Sequence, residues 1–118
     1  MVNDNTYNML SVLESLTLDN ADDIGKEIAA DFRRRRIEKN LTREQVSKKA
    51  GISVSNLVRF EQKGLISLSN LISLAIAMGY VSEIKNLFSQ PKYETMEELT
   101  QIRKNSNKKR AYRYEEDR

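Results

Sequence analysis

Leu41-Thr42-Arg43-Glu44-Gln45-Val46-Ser47-Lys48-Lys49-Ala50-Gly51-Ile52-Ser53-Val54-Ser55-Asn56-Leu57-Val58-Arg59-Phe60-Glu61 is the stretch that decides the fold. Thr42 and Gln45 stand at capping-box spacing, so a helix is expected to start after Thr42 and end at Ala50. Gly51 then supplies a left-handed backbone position without a side-chain penalty. Ser53 is a favourable N-cap for the next helix, predicted to run to about Gln62 before Lys63 and Gly64 stop it. Val46, Ile52, Leu57 and Phe60 are expected to hold the two helices at a fixed angle. The small Ser47 and Ala50 permit close approach.

Upstream, the apolar spacing from about Ile24 to Lys39 predicts another helix, with Ile28, Phe32 and Ile37 facing inward. Downstream, Ser67 can cap a helix that buries Leu68, Leu71, Leu74, Ala75 and Met78 and closes at Gly79. Ser82 can cap a short fifth helix with Ile84, Leu87 and Phe88 on its apolar side. No stretch alternates as a strand does, and no repeat is present. Five helices with short connections make an all-α domain over residues 24–90. Residues 1–23 read as an acidic N-terminal arm, with a short helix suggested around Met9, Leu10, Val12, Leu13 and Leu16. Residues 91–118 open with a second capping-box pair, Thr95 and Glu98, leading into Met96, Leu99 and Ile102. Beyond it, Arg103, Lys104, Lys108, Lys109, Arg110 and Arg113 meet no acidic residue before Glu115, which predicts a basic tail that is disordered when free.

The chain of 118 residues has no cysteine and no histidine. Thiolate and imidazole ligands and a histidine general base are therefore lacking, so neither a zinc site nor a histidine-dependent triad is expected. No glycine-rich phosphate loop or clustered metal-ligand spacing accompanies the acidic residues, and the expectation is a protein that is not an enzyme and uses no cofactor. No apolar run approaches the ~18 residues of a membrane span, and the start lacks a leader, which reads as a cytoplasmic protein. The net charge of +3 is unevenly placed: residues 1–23 carry five acidic groups and no basic one, and residues 24–90 carry twelve basic against six acidic. Residues 91–118 carry eight basic against six acidic. A basic middle is the footprint of a nucleic-acid binder, because counterion release at phosphates supplies most non-specific affinity.

Two helices around a tight glycine turn are what a helix-turn-helix needs: the first braces across the DNA backbone and the second presents its N-terminal side chains in the major groove. Leu41-Thr42, Ala50-Gly51-Ile52-Ser53, Glu61, Gly64, Ser67-Leu68, Leu71, Leu74-Ala75 and Ala77-Met78-Gly79 stand in matching register. By these marks the chain, from about Ile24 to Phe88, resembles the Cro/C1-type (XRE) helix-turn-helix family of phage repressors and bacterial regulators. The resemblance implies a five-helix, lambda-repressor-like domain flanked here by an N-terminal arm and a basic C-terminal extension. It assigns Val54, Ser55 and Arg59 to base edges, with Asn56 nearby, and Arg43 and Ser53 to the phosphate backbone. Lys63 is expected at the surface or facing phosphate. An arginine fork suits guanine O6 and N7, a valine packs on a thymine methyl, and a serine serves as donor or acceptor. The sequence departs from the family at Arg43, where a glutamine usually meets a phosphate, at Ser47, usually alanine, and at Lys63, usually small or polar.

Arg33, Arg34, Arg35 and Arg36 cannot all face one ligand, since consecutive helical residues fan around the axis. The resemblance implies that Arg36 pairs with Glu61 and ties the first helix to the recognition helix, the others forming a solvated face. One recognition helix covers few base pairs, so a homodimer on a palindromic operator is expected, with Ile84, Leu87 and Phe88 as the dimerisation candidates. Occlusion of a promoter then implies a sequence-specific double-stranded DNA-binding transcriptional repressor. The alternative is an antitoxin. The HipB-like antitoxins of this family, which neighbour kinase-like toxins, can carry comparable basic extensions, and such a protein neutralises its toxin partner and autoregulates its operon.

Overall fold

Asn20 opens the first helix: its Oδ1 accepts the backbone N–H of Asp23 at 2.8 Å, and Asp22 and Asp23 place negative charge at the positive end of the helix. This start lies three residues before the expected one because the asparagine cap acts upstream of the apolar pattern. The structure is a computed structural model that describes residues 20–111, among which there are six helices and no strand. They are α1 (Ala21–Glu38), α2 (Arg43–Ala50), α3 (Val54–Lys63), α4 (Leu68–Met78), α5 (Val81–Lys85) and α6 (Met96–Asn105). The expected short helix within residues 9–16, together with Arg113, lies outside the described residues. No described helix is long and apolar enough to cross a membrane.

The chain divides into two compact units between Ile84 and Lys85. In the first, local chemistry fixes each helix end. Thr42 Oγ1 accepts the Gln45 N–H at 3.1 Å, while Gln45 Oε1 accepts the Thr42 N–H at 2.8 Å. Ser53 and Ser67 cap α3 and α4 in the same manner. At the other end of α2, Gly51 stands at φ 72°, a left-handed value that lets the chain turn sharply into Ser53. The core is Ala29, Val46, Leu57, Phe60, Leu74 and Met78, with Phe32 packed against it. The Phe32 and Phe60 rings meet edge to face, 5.5 Å apart.

The inward face of α1 differs from the one the apolar pattern predicts. Ala29 and Arg36 are buried and Phe32 half-buried, while Ile28 and Ile37 stand 46% and 50% exposed. Size decides this. Gly25 lies on the same stripe as Ala29, Phe32 and Arg36, and a Cβ built on it would come within 2.8 Å of the Gly64 carbonyl oxygen. Only small residues allow α1 to approach α3 so closely. In α4, Leu74, Ala77 and Met78 are buried, while Leu68 is largely exposed. Lys39 Nζ donates to the Met78 carbonyl at 2.9 Å, placing a cation on the negative end of α4.

The fifth helix begins at Val81 and ends at Lys85. Ser82 lies within it, donating to the Glu83 carboxylate instead of capping, and Leu87 and Phe88 fall beyond its end. In the second unit, Thr95 caps α6 by accepting the Glu98 N–H at 3.1 Å, but the Glu98 carboxylate accepts from the N–H of Glu94, one residue before the cap. Helix α6 continues past Ile102 to Asn105. Arg103 and Lys104 in its last turn suit the helix dipole, which accounts for order where charge alone predicts none.

Candidate nucleic-acid interface

The helical period divides α3 into two faces. Leu57 and Phe60 are buried, whereas Val54, Ser55, Asn56, Arg59 and Lys63 are all exposed. Ser53 organises the leading end: its Oγ accepts the Asn56 N–H at 3.1 Å and lies 3.2 Å from the Ser55 hydroxyl. Arg59 forms no ion pair or side-chain hydrogen bond among the described residues. It borders a shallow groove together with Asn56, Leu65, Ile66, Ser67 and Asn70. Asn70 escaped the sequence reading, although its place in the first turn after the α3–α4 connection was a usable signal.

At the trailing end sits a cluster of opposite character. Arg36 donates from Nε to Glu61 Oε2 at 2.7 Å and from Nη2 to Oε1 at 3.0 Å, a two-pronged grip, while its Nη1 donates to the Leu41 carbonyl at 2.8 Å. Arg43 Nε donates to the same Oε1 at 3.1 Å, and Arg33 Nε stands 4.0 Å from it. The Glu61 side chain is 1% exposed. Burial acts to raise its pKa, but the hydrogen bonds from Arg36 and Arg43 and their positive charges outweigh that and hold the carboxyl below the usual 4.5.

Arg43 therefore does not stand free at the surface: its Nε is held by Glu61, and its side chain is 33% exposed. Arg34 pairs with Asp31 and Arg35 with Glu38 on the solvated side of α1, exposed pairs that contribute little stability. Ile84 is half-buried, Leu87 is exposed, and Phe88 is fully exposed with φ 59°. Among the described residues no group of three or more acidic side chains is gathered as a metal site requires.

Residues 32–85 match the protein-family model described as Helix-turn-helix. This segment is a Cro/C1-type helix-turn-helix domain. No curated protein matches the chain. Within the Cro/C1-type domain, α2 is the bracing helix and α3 the recognition helix, and the protein is a DNA-binding regulator of the helix-turn-helix kind. The domain's one-sided recognition helix and the buried Glu61 cluster are thus two halves of one device, the second fixing the angle at which the first is presented.

Proposed function

We propose that the protein is a cytoplasmic, sequence-specific double-stranded DNA-binding transcriptional repressor that acts as a homodimer on a palindromic operator. The observation that carries this reading is the exposure of Val54, Ser55, Asn56 and Arg59 on a helix whose opposite side is sealed by Leu57 and Phe60. Arg59, with no partner among the described side chains, reads a guanine edge through its fork. Ser55 and Val54 take the adjacent base edges, with Asn56 beside them. Ser53, Arg43 and Lys63 sit where phosphates pass, Arg43 turning its outer nitrogens to the backbone while Nε keeps its bond to Glu61. Ile84, Leu87 and Phe88 supply the dimer contact, a role supported by the exposed leucine and phenylalanine. Selection of bound sites from random duplexes is the test. Two-fold symmetric sites with half-sites about one helical turn apart are expected, and a selected pool without sequence preference would sink the reading.

A second reading, neutralisation of a toxin partner, draws on the second unit. Residues 85–111 contain no buried residue and expose Leu87, Phe88, Tyr93 and Met96, apolar surface of the sort that partners cover. Co-purification of a stoichiometric partner that depends on residues 85–118 would favour it. Full operator binding and repression by a chain truncated after residue 90 would count against it.

A further inference from the structure

Helix α4 carries no charged residue from Leu68 to Met78, and Leu68, Ile72 and Ile76, spaced four apart, are 65%, 36% and 58% exposed. A helix apolar on every side is normally covered on every side. The stripe is continued at one end by other elements. Exposed Ile24 and Ile28 flank Gly25, and exposed Leu65 and Leu68 follow Gly64. The backbone contact between Gly25 and Gly64 therefore gathers these four side chains at the N-terminal ends of α1 and α4.

Residues 1–19 lead into the structure at this same place, through Asn20 and α1. Met9, Val12, Leu13 and Leu16 have the i, i+3, i+4, i+7 spacing of one helix face, and Glu14 is the sole charged residue between positions 5 and 18. We propose that residues 9–18 form a short helix whose apolar face docks on Ile24, Ile28, Leu65, Leu68 and Ile72 of the same chain. Such a helix is about 15 Å long, comparable to α4. The few residues between Leu16 and α1 reach at most ~14 Å, which holds the segment beside the patch. A tether this short gives an effective concentration in the millimolar range, so the chain's own segment outcompetes a second copy. Its apolar face matches the uncharged stripe, as the basic tail does not. This inference does not depend on which DNA sequence, if any, α3 reads.

The absence of native cysteine makes the test clean. Under mild oxidation at micromolar concentration, full-length Leu13→Cys/Leu68→Cys is expected to give a cross-linked monomer at least ten times faster than Leu13→Cys/Glu38→Cys. The Glu38 position lies ~21 Å along α1 from Ile24. Adding Leu16→Asp to a Leu68→Cys chain should raise the alkylation rate of that thiol at least five-fold while the far-ultraviolet helical signal of the domain persists. Equal cross-linking of the two pairs, or an unchanged alkylation rate, overturns the proposal. A cross-linked dimer in place of the monomer assigns the stripe to a second copy and overturns it equally.

Discussion

At its trailing end α3 is held by Glu61, whose carboxylate takes three hydrogen bonds from Arg36 and Arg43, and by the backbone contact of Gly64 with Gly25. At its leading end Val54, Ser55 and Asn56 stand exposed around a serine cap. The contrast shows how a short helix presents side chains without losing orientation. Anchoring is concentrated where nothing is read, so the residues aimed outward need no internal partners. Groups already held at a fixed angle lose less freedom on binding, and preorganisation of this kind raises affinity without new contacts.

The sharpest way to break this division is to remove the anchor. Arg36→Ala leaves the Glu61 carboxylate buried with Arg43 as its remaining close cation, and a loss of about 3–5 kcal/mol in stability is expected by denaturant unfolding. A loss below about 1 kcal/mol would show that solvent screens the cluster and that the two ends of α3 do not differ in kind. Gly25→Ala attacks the same end through sterics. Alanine gains up to about 1 kcal/mol in helix propensity, but its Cβ would meet backbone at 2.8 Å, which cannot swing aside. A net destabilisation of about 1–3 kcal/mol is expected.

How much of this was legible in the chain depended on distance along it. Caps were readable because their partners lie three residues apart, as with Thr42 and Gln45 or Ser53 and Asn56. The exposure of Val54, Ser55 and Arg59 followed from the helical period once Leu57 and Phe60 were placed in the core. The inward face of α1 was misread because hydropathy favours Ile28 and Ile37, whereas close approach to Gly64 selects Gly25 and Ala29. The bond from Arg43 to Glu61 spans 18 positions, and a pattern of local spacing does not reveal that an arginine is already engaged. The fifth helix ended early for a similar reason: Phe88 adopts φ 59°, a conformation its residue type gives no cause to expect.

At the open end the effect is on binding, not on folding. Arg59→Ala should cost about 1–3 kcal/mol on the preferred duplex and relax selectivity at one base pair, with stability nearly unchanged. Arg43→Ala should weaken binding to all sequences, flatten the salt dependence, and also lower stability through Glu61. The pair of variants thus separates a reader from a residue that serves both ends. Unchanged affinity and preference in Arg59→Ala would show that α3 is set on DNA in another register.

Acid provides a gentler probe of the anchor. Because the Glu61 pKa is lower folded than unfolded, the carboxylate contributes stability above the unfolded value near 4.5 and loses it as pH falls through the folded one. Glu61→Gln should therefore be less stable than the parent at pH 7 and should show a shallower decline in stability below about pH 4.5. Parallel curves for the two proteins would place the acid sensitivity elsewhere.

The smallest expected effect lies on α2, which packs against both α3 and α4. Ser47 is 3% exposed, and its hydroxyl has no hydrogen-bond partner. A buried donor left unmatched carries a desolvation cost that alanine, the residue usual at this place in the Cro/C1 type, does not have. Ser47→Ala should therefore stabilise the domain by about 1 kcal/mol, read as a rise of a few degrees in Tm. Because the hydroxyl lies on the side of α2 away from the exposed face of α3, operator affinity should not change. A gain in both stability and affinity would mean that the anchored end still limits how firmly the open end is presented. A loss of stability would mean that the hydroxyl is matched in solution and that the packing of α2 needs it.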